Sequence, residues 1–362
     1  MYVTAENDRE YCLRFWAGKP SEALLWSMMG SGYIALSKAR GYASYQDFCA
    51  KELGCVQFAS VCIPFKSVNP NLQINESERD GMTVREYNSP HGILHETLLD
   101  GQIIDYKIKN CDDLKILNAM LMDTRIEADF ERYQQHKQIY EKQMPIIVNT
   151  DTASAVQQFL QYETGVVNFW YLAEDYPKLL EECMETFQSL MAKKYLLMQQ
   201  VESDGFYQAE NTSSAMISPE YYRKYGVPQV RQFVDSAHAV GKRAIVHMCG
   251  HLYNLMPLIK ETGMNGIHSL TPPPIGNTSF EYAYSIMPSN TSILGRLGSL
   301  EWIGKNKMEI KESLCRLLPH RIYHEHPFML IVSTDDASFS VDDLYNVRDA
   351  IAEYEQEGNG IK

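Results

Sequence analysis

The stretch His247-Met248-Cys249-Gly250-His251 packs an imidazole, a thiol and a second imidazole into five residues. Side chains two apart on a β-strand leave the same face, with Cα atoms roughly 6.5 Å apart. A neutral His247 and an ionised Cys249 can therefore converge on one Zn2+ at about 2.0 to 2.3 Å each. The same tripeptide also reads as an inert core thiol beside a hydrogen-bonded histidine, and spacing alone leaves both readings open. Gly250 allows close backbone approach to a ligand. His251 reads as the N-terminal residue of a following helix, with metal ligation as the alternative.

Other apolar runs also stop on polar residues: Asn149-Thr150-Asp151, Glu210-Asn211-Thr212, His268-Ser269, Arg296, and Ser333-Thr334-Asp335-Asp336. In a parallel barrel, functional groups sit at the C-terminal ends of the strands, so these are the informative positions. Glu210 and Asp335 each suit a general base, a hard metal ligand or a loop-capping acid, and Asp336 competes with Asp335. His268 either enters the same pocket or bonds a loop. Thr271-Pro272-Pro273-Pro274 predicts a stiff extended rim or a plain spacer. Trp170 and Tyr171, at the end of an apolar run, suit a pocket wall or the core.

The elements that would position these groups follow from periodicity. Short apolar runs at 145–149, 205–209, 243–249, 266–270, 292–297 and 328–334 predict strands. They alternate with amphipathic helical stretches at 155–162, 176–201, 219–240, 252–262, 307–317 and 341–354. Runs at 23–28 and 56–63 supply two more strands. This alternation predicts an α/β fold with parallel crossovers; eight units suit a (β/α)8 barrel, and an open doubly wound sheet stays compatible. Residues 81–109 predict an antiparallel meander with turns at Ser89-Pro90-His91-Gly92 and Asp100-Gly101, and Asp112-Asp113-Leu114 predicts a helix start.

The 362 residues are 45% hydrophobic and 22% charged, with a net charge of -13 spread along the chain. That is ordinary globular composition, and a single domain over 1–362 with the hairpin insertion at about 81–109 is expected. The balance argues against a nucleic-acid footprint, which needs clustered positive charge. No run approaches a membrane span and no basic-apolar leader opens the chain, so a cytoplasmic location is expected. The eight cysteines lack CxxC pairs and are expected reduced. GxGxxG, GxxxxGK[ST] and GxSxG are absent, which removes support for dinucleotide, P-loop and nucleophilic-hydrolase readings.

Beyond spacing, the sequence resembles the uroporphyrinogen decarboxylase superfamily. The resemblance rests on Ile217-Ser218-Pro219-Glu220-Tyr221-Tyr222, Ala239 to Arg243, His247-Met248-Cys249-Gly250-His251, and Gly263 to Pro274. It covers about residues 145–354 and implies a (β/α)8 barrel with an N-terminal β-hairpin elaboration. The superfamily implies either decarboxylation of a tetrapyrrole or zinc-dependent methyl transfer with a corrinoid protein. The decarboxylase branch carries an arginine-rich RQAGRY segment, where this chain reads Leu25-Trp26-Ser27-Met28-Met29-Gly30-Ser31-Gly32-Tyr33. The methyltransferase branch holds zinc on HxC plus a distant cysteine. His247 and Cys249 match the first two positions, whereas the third reads Ser333-Thr334-Asp335-Asp336, and Cys315 falls within a helix.

The resemblance therefore implies a zinc-assisted methyltransferase. Zn2+ would be held by His247 and Cys249, with Asp335 first and Glu210 or His268 as alternatives for the third ligand, and Glu210, His268 and Asp335 are the catalytic candidates. A methyl-corrinoid would ride on a partner protein, because no DxHxxG-type cobalamin motif is present. The other partner would be a small methylated substrate or a thiol acceptor, and homo-oligomerisation is compatible. A decarboxylase-type lyase and a non-catalytic barrel binding a small molecule or tetrapyrrole are the alternatives.

Overall fold

The computed structural model describes residues 8–359 apart from residues 30, 31, 43, 44 and 336. Eight parallel strands make one curved sheet: β1 Leu25–Met29, β2 Ser60–Cys62, β3 Ile146–Asn149, β4 Gly205–Ala209, β5 Ala244–His247, β6 Gly266–Leu270, β7 Ser292–Leu297 and β8 Phe328–Ser333. Their spatial order is β1-β8-β7-β6-β5-β4-β3-β2. A doubly wound sheet would bury β1 between early strands, but here β1 pairs with β8, Leu25 opposite Met329 and Met29 opposite Ser333. That is the order of a (β/α)8 barrel. Its seam lies between β1 and β2, where the Val56 N–H donates to the Trp26 carbonyl at 2.9 Å.

Strand alternation sorts side chains into two layers. Leu25, Ile147, Ile245, Leu294, Met329 and Ile331 point inward and pack together. Phe206, Val246, Ile267, Leu330 and Val332 point outward and join the larger core beneath the helices. The inward cluster also includes Cys12, Phe15 and Trp16 from the N-terminal helix Asp8–Trp16. This helix closes the N-terminal end of the barrel. Ser292, the first residue of β7, donates through Oγ to the Phe15 carbonyl at 2.6 Å. A Cβ on Gly205, the first residue of β4, would meet the Trp16 ring at 2.8 Å.

Several helices after the strands are longer or more irregular than periodicity suggested. The stretch expected as a helix over 155–162 becomes Ala155–Gln158 followed by a π-turn at Phe159–Glu163. The apolar run ending at Trp170 and Tyr171 is itself helical, Gly165–Asp175. The long helix Pro177–Met198 begins with proline, whose fixed φ suits a first turn. None of the described helices is long and apolar enough to cross a membrane.

The antiparallel meander is a four-stranded sheet: Gln73–Arg79, Met82–Ser89, Gly92–Leu99 and Gln102–Asp105. Its first strand carries no apolar alternation and is exposed throughout, so periodicity misses it. Asp80-Gly81 and Asp100-Gly101 have positive φ throughout, as two-residue hairpin turns require. The last strand stops at Asp105, short of the expected extent, because Lys107 turns inward. Lys107 Nζ lies 2.8 Å from Glu163 and 3.8 Å from Glu96, tying the sheet to the π-turn after β3. The expected helix start is present: Asn110 caps Cys111–Asp123 by accepting from the N–H groups of Asp112 and Asp113.

Candidate active site at the barrel mouth

Alternation carries His247 and His268 to the inner face at the C-terminal end of the barrel. Their strands pair in register, with Ile245 opposite Gly266 and His247 opposite His268. The two Nδ1 atoms are 2.6 Å apart, and Tyr207, inward-facing on β4, brings its hydroxyl to 3.4 Å from His268 Nδ1. At most one of two facing ring nitrogens donates, so the contact fixes complementary tautomers. If His268 Nδ1 accepts from both neighbours, its proton sits on Nε2, an atom with no hydrogen-bond partner among the described residues. Burial pushes the His247 imidazole down to about 4, helped by the Arg296 guanidinium. Burial, His247 and Arg296 push His268 well below the ordinary histidine range. Both rings are neutral near pH 7.

Cys249 follows His247 by two residues, and its Sγ lies 3.7 Å from Asn211 Oδ1 at the end of β4. Burial pushes this thiol up, while Arg296 opposes that shift. Gly250 serves a close approach different from the one expected. A Cβ there would meet Ser213 Cβ at 2.3 Å and the Thr212 carbonyl at 2.6 Å, so the glycine lets the loops after β4 and β5 touch. His251 is exposed, and its N–H donates to Ser213 Oγ at 3.1 Å.

Arg296 and Asp335 form the other side of the mouth. Arg296 sits opposite Ile331, an inward position, and its Nη2 is ion-paired to Asp335 Oδ1. Asp335 also accepts from Ser333 Oγ and from the Ser299 N–H, both at 2.7 Å. Asp336 lies outside the described residues. Asp151, Asn211, Ser269 and Asp335, each just past or at the end of a barrel strand, all have positive φ. Asp and Asn tolerate that region, whereas Ser269 pays for it at a β6 bulge beside His268. Strained backbone gathered at one end of a barrel marks a functional face.

Glu210 is placed differently from the expectation. Phe206 and Gln208 precede it on the outward side of β4, where Gln208 meets the Tyr195 hydroxyl at 3.2 Å. The Glu210 carboxylate follows them into the layer between strand and helices. Its Oε2 accepts the Ser154 N–H at 3.0 Å, and its charge is felt by Tyr195 and Tyr222. Burial pushes it up to about 7, against the hydrogen bonds from Ser154 and Gln208. Its backbone does touch the mouth: the N–H groups of Glu210 and Asn211 both donate to the His247 carbonyl, at 3.0 and 2.9 Å.

The zinc set expected on His247, Cys249 and Asp335 is not assembled. Structural and catalytic zinc sites need at least three donors converging at about 2.0 to 2.3 Å. Here Asp335 is committed to a guanidinium and two further donors, and His247 Nδ1 faces another imidazole. Among the described residues no three His, Cys, Asp or Glu side chains are grouped so as to hold a metal. The residues present do not fit that ion. Cys315, which lies in the helix Lys307–Leu317, is exposed and takes no part.

Residues 103–332 match the uroporphyrinogen decarboxylase (URO-D) family. The chain belongs to the URO-D family. Two relatives are named methylcobamide:CoM methyltransferase MtbA, from Methanosarcina acetivorans and Methanosarcina mazei. Each is 26% identical over 167 residues, 46% of this chain and 48% of the relative, so the chain spans about half the length of the relatives it matches. A solved methyltransferase from Methanosarcina mazei shares the fold, with a TM-score of 0.60 at 12% identity over 97% of this chain and 99% of that one. The expected kinship and barrel both stand for this URO-D member.

Two mouth residues had received no role from the sequence. Arg296 is the basic residue in the otherwise apolar run Ser292–Leu297, and counting by twos from Leu294 would have put it inside. Tyr207 has the same signal, two residues before the end of β4. Lys194 gave none. It reaches Asp151 Oδ1 at 2.5 Å from the long helix, a contact only the tertiary fold creates, and burial lowers it.

Proposed function

We propose that this URO-D family member is a methyltransferase that moves a methyl group between a small substrate and a corrinoid carried by a separate protein. Its substrate would sit at the barrel mouth among His247, Cys249, His268, Tyr207 and Arg296. The observation that carries the reading is the HxC pair at the end of β5 in a chain whose sequence relatives are named methylcobamide:CoM methyltransferases. The decarboxylase alternative has less support, because β1 ends in Leu25–Met29 without the arginines of that branch.

In the thiol direction, the corrinoid on its partner protein would supply the methyl group, and the substrate sulfur, its proton released to bulk water, would take it up. The chain's own contribution is positional. Neutral His247 and His268 offer one acceptor and one donor without adding charge, and the low exposure of the mouth residues keeps water from the reacting carbon. No step is assigned to zinc, since the donor set does not fit it.

The test is methyl transfer from methylcobalamin, free or on its carrier protein, to small thiols. It is followed by loss of the methylcobalamin absorbance and by mass detection of the methylated product. Transfer that falls roughly a hundredfold in His247→Ala supports the reading. Absence of transfer with every thiol and carrier, alongside carbon dioxide release from a porphyrinogen, would replace it with the lyase.

A further inference from the structure

Two of the eight cysteines are brought together beside the barrel seam. Between β1 and β2 the backbone runs through the short helix Tyr45–Phe48 into a π-turn, Cys49–Leu53, which Gly54 closes in the left-handed region at φ 67°. The Cys55 N–H then donates back to the Cys49 carbonyl at 3.1 Å. Residues joined by such a bond keep their Cα atoms roughly 4.5 to 6.5 Å apart, within the roughly 4.4 to 6.8 Å that a disulfide spans. Both side chains turn inward, with exposures of 0% and 2%. Burial, followed by the contact with the Cys49 thiol, holds the proton on Cys55.

Other buried thiols donate to backbone carbonyls: Cys12 to Gln57 at 3.4 Å and Cys183 to Leu114 at 3.2 Å. Cys49 is an acceptor instead, with Gln57 Nε2 3.2 Å from its Sγ. An N–H aimed at sulfur favours the thiolate over the thiol, and the thiolate is the nucleophile in thiol chemistry. The cover over the pair is thin. Lys51 is exposed, and a Cβ on Gly54 would meet nothing within 4 Å. A single turn can open locally while the barrel strands stay paired.

We propose that Cys49 and Cys55 are a reversible oxidation site, in which a hydroperoxide joins the two thiols as a disulfide. The Cys49 sulfur, its proton released, attacks one peroxide oxygen; the O–O bond breaks, leaving a sulfenic acid on Cys49 and releasing water. The Cys55 sulfur then attacks the Cys49 sulfur, the S–O bond breaks, and the leaving hydroxide takes the Cys55 proton as a second water. The two thiols lose two electrons and the peroxide gains them. A dithiol reductant reverses the change by exchange. Transient disulfides of this kind are compatible with a reducing compartment, where lasting ones are rare. The site adjoins both the seam and the mouth: Val56 donates to the Trp26 carbonyl, and the Phe58 ring packs on His268 with centroids 5.1 Å apart. It does not depend on the transferred group being methyl.

The test treats the reduced full chain with hydrogen peroxide under native conditions, blocks remaining thiols with an alkylating agent and maps the digest by mass. One intrachain link between the Cys49 and Cys55 peptides should form while circular dichroism is unchanged, and dithiothreitol should remove it. In Cys55→Ser the reaction should stop at the sulfenic acid, and dimedone should label Cys49 at least about tenfold more than it labels Cys55 in Cys49→Ser. Melting curves identify folded variants, and the mapping of the wild type stands without them. A native chain whose Cys49 and Cys55 stay unlinked until it unfolds overturns the proposal, because the pair would then be inert core filling. An intrachain link that forms first between any other two cysteines overturns it as well.

Discussion

Glu210 is a carboxylic acid enclosed between β4 and the helix layer, with hydrogen bonds from Ser154 and Gln208 and no ion pair among the described residues. An unfolded glutamate titrates near 4.3, whereas this one, pushed up by burial, titrates at about 7. Between those pH values the folded state holds the extra proton, so the group makes stability fall as pH rises from about 4.3 to about 7, with no further loss above. Glu210→Gln keeps the acceptor for Ser154 and removes the ionisation. The variant should gain on the order of 1 to 3 kcal/mol relative to wild type at pH 8 and nothing at pH 4.5. Urea midpoints at the two pH values decide it; identical pH slopes in the two proteins would mean that Glu210 does not ionise across this range. Among the expected site residues, His247, Cys249 and His268 were legible because each lies on or beside an apolar run whose alternation gives their face. The side of the strand taken by Glu210 was not legible, since one step of register at a strand end exchanges pocket for helix layer, and of its three readings the capping acid agrees with the Ser154 contact.

The antiparallel sheet over Gln73–Asp105 meets the barrel through a charged contact as well as apolar packing. Lys107 is held between Glu163 of the π-turn and Glu96 of the sheet, with its ammonium 5.0 Å from the centre of the Tyr87 ring. Glu96 has further donors in Arg85 Nη1 at 2.7 Å and the Tyr87 hydroxyl at 2.6 Å. Glu163 has Gln158 Nε2 at 2.9 Å. Lys107→Met would leave Glu163 without its cation, while Glu96 keeps Arg85, and should cost about 3 to 5 kcal/mol. Adding Glu163→Gln should recover part of that loss, because the damage lies in the unpaired charge. Hydrogen exchange is the direct readout: amides of residues 82–105 should lose protection in Lys107→Met before those of the barrel strands. Uniform loss across the chain would show that sheet and barrel unfold as one unit. Two turns of this sheet were visible, at Ser89-Pro90-His91-Gly92 and Asp100-Gly101, but its first strand and its anchor were not, since neither a strand with the single apolar residue Ile74 nor a distant ion pair leaves a periodic trace.

At the scale of the whole molecule, the two ends of the barrel divide the work. The N-terminal end is filled by Phe15 and Trp16, whose indole N–H donates to the Phe58 carbonyl at 3.0 Å and so braces the seam as well. Trp16→Ala should destabilise the protein by about 3 to 5 kcal/mol, seen as a lower urea midpoint. Methyl transfer from methylcobalamin to small thiols at the opposite end should stay within about twofold at low temperature; a loss of transfer in the still-folded variant would contradict the division. The sequence by itself determined the strand-helix alternation, the exact spans of β4, β6 and β7, and the polar character of the strand ends, because periodicity and composition act locally. It also carried the family, through runs of residues that match position by position. Only the tertiary structure decided that β1 closes onto β8, that His247 meets His268, that Glu210 turns outward, and that Asp335 belongs to Arg296. Each of those depends on which strand lies beside which and in what register, and such pairings join residues tens to hundreds of positions apart that no local pattern relates.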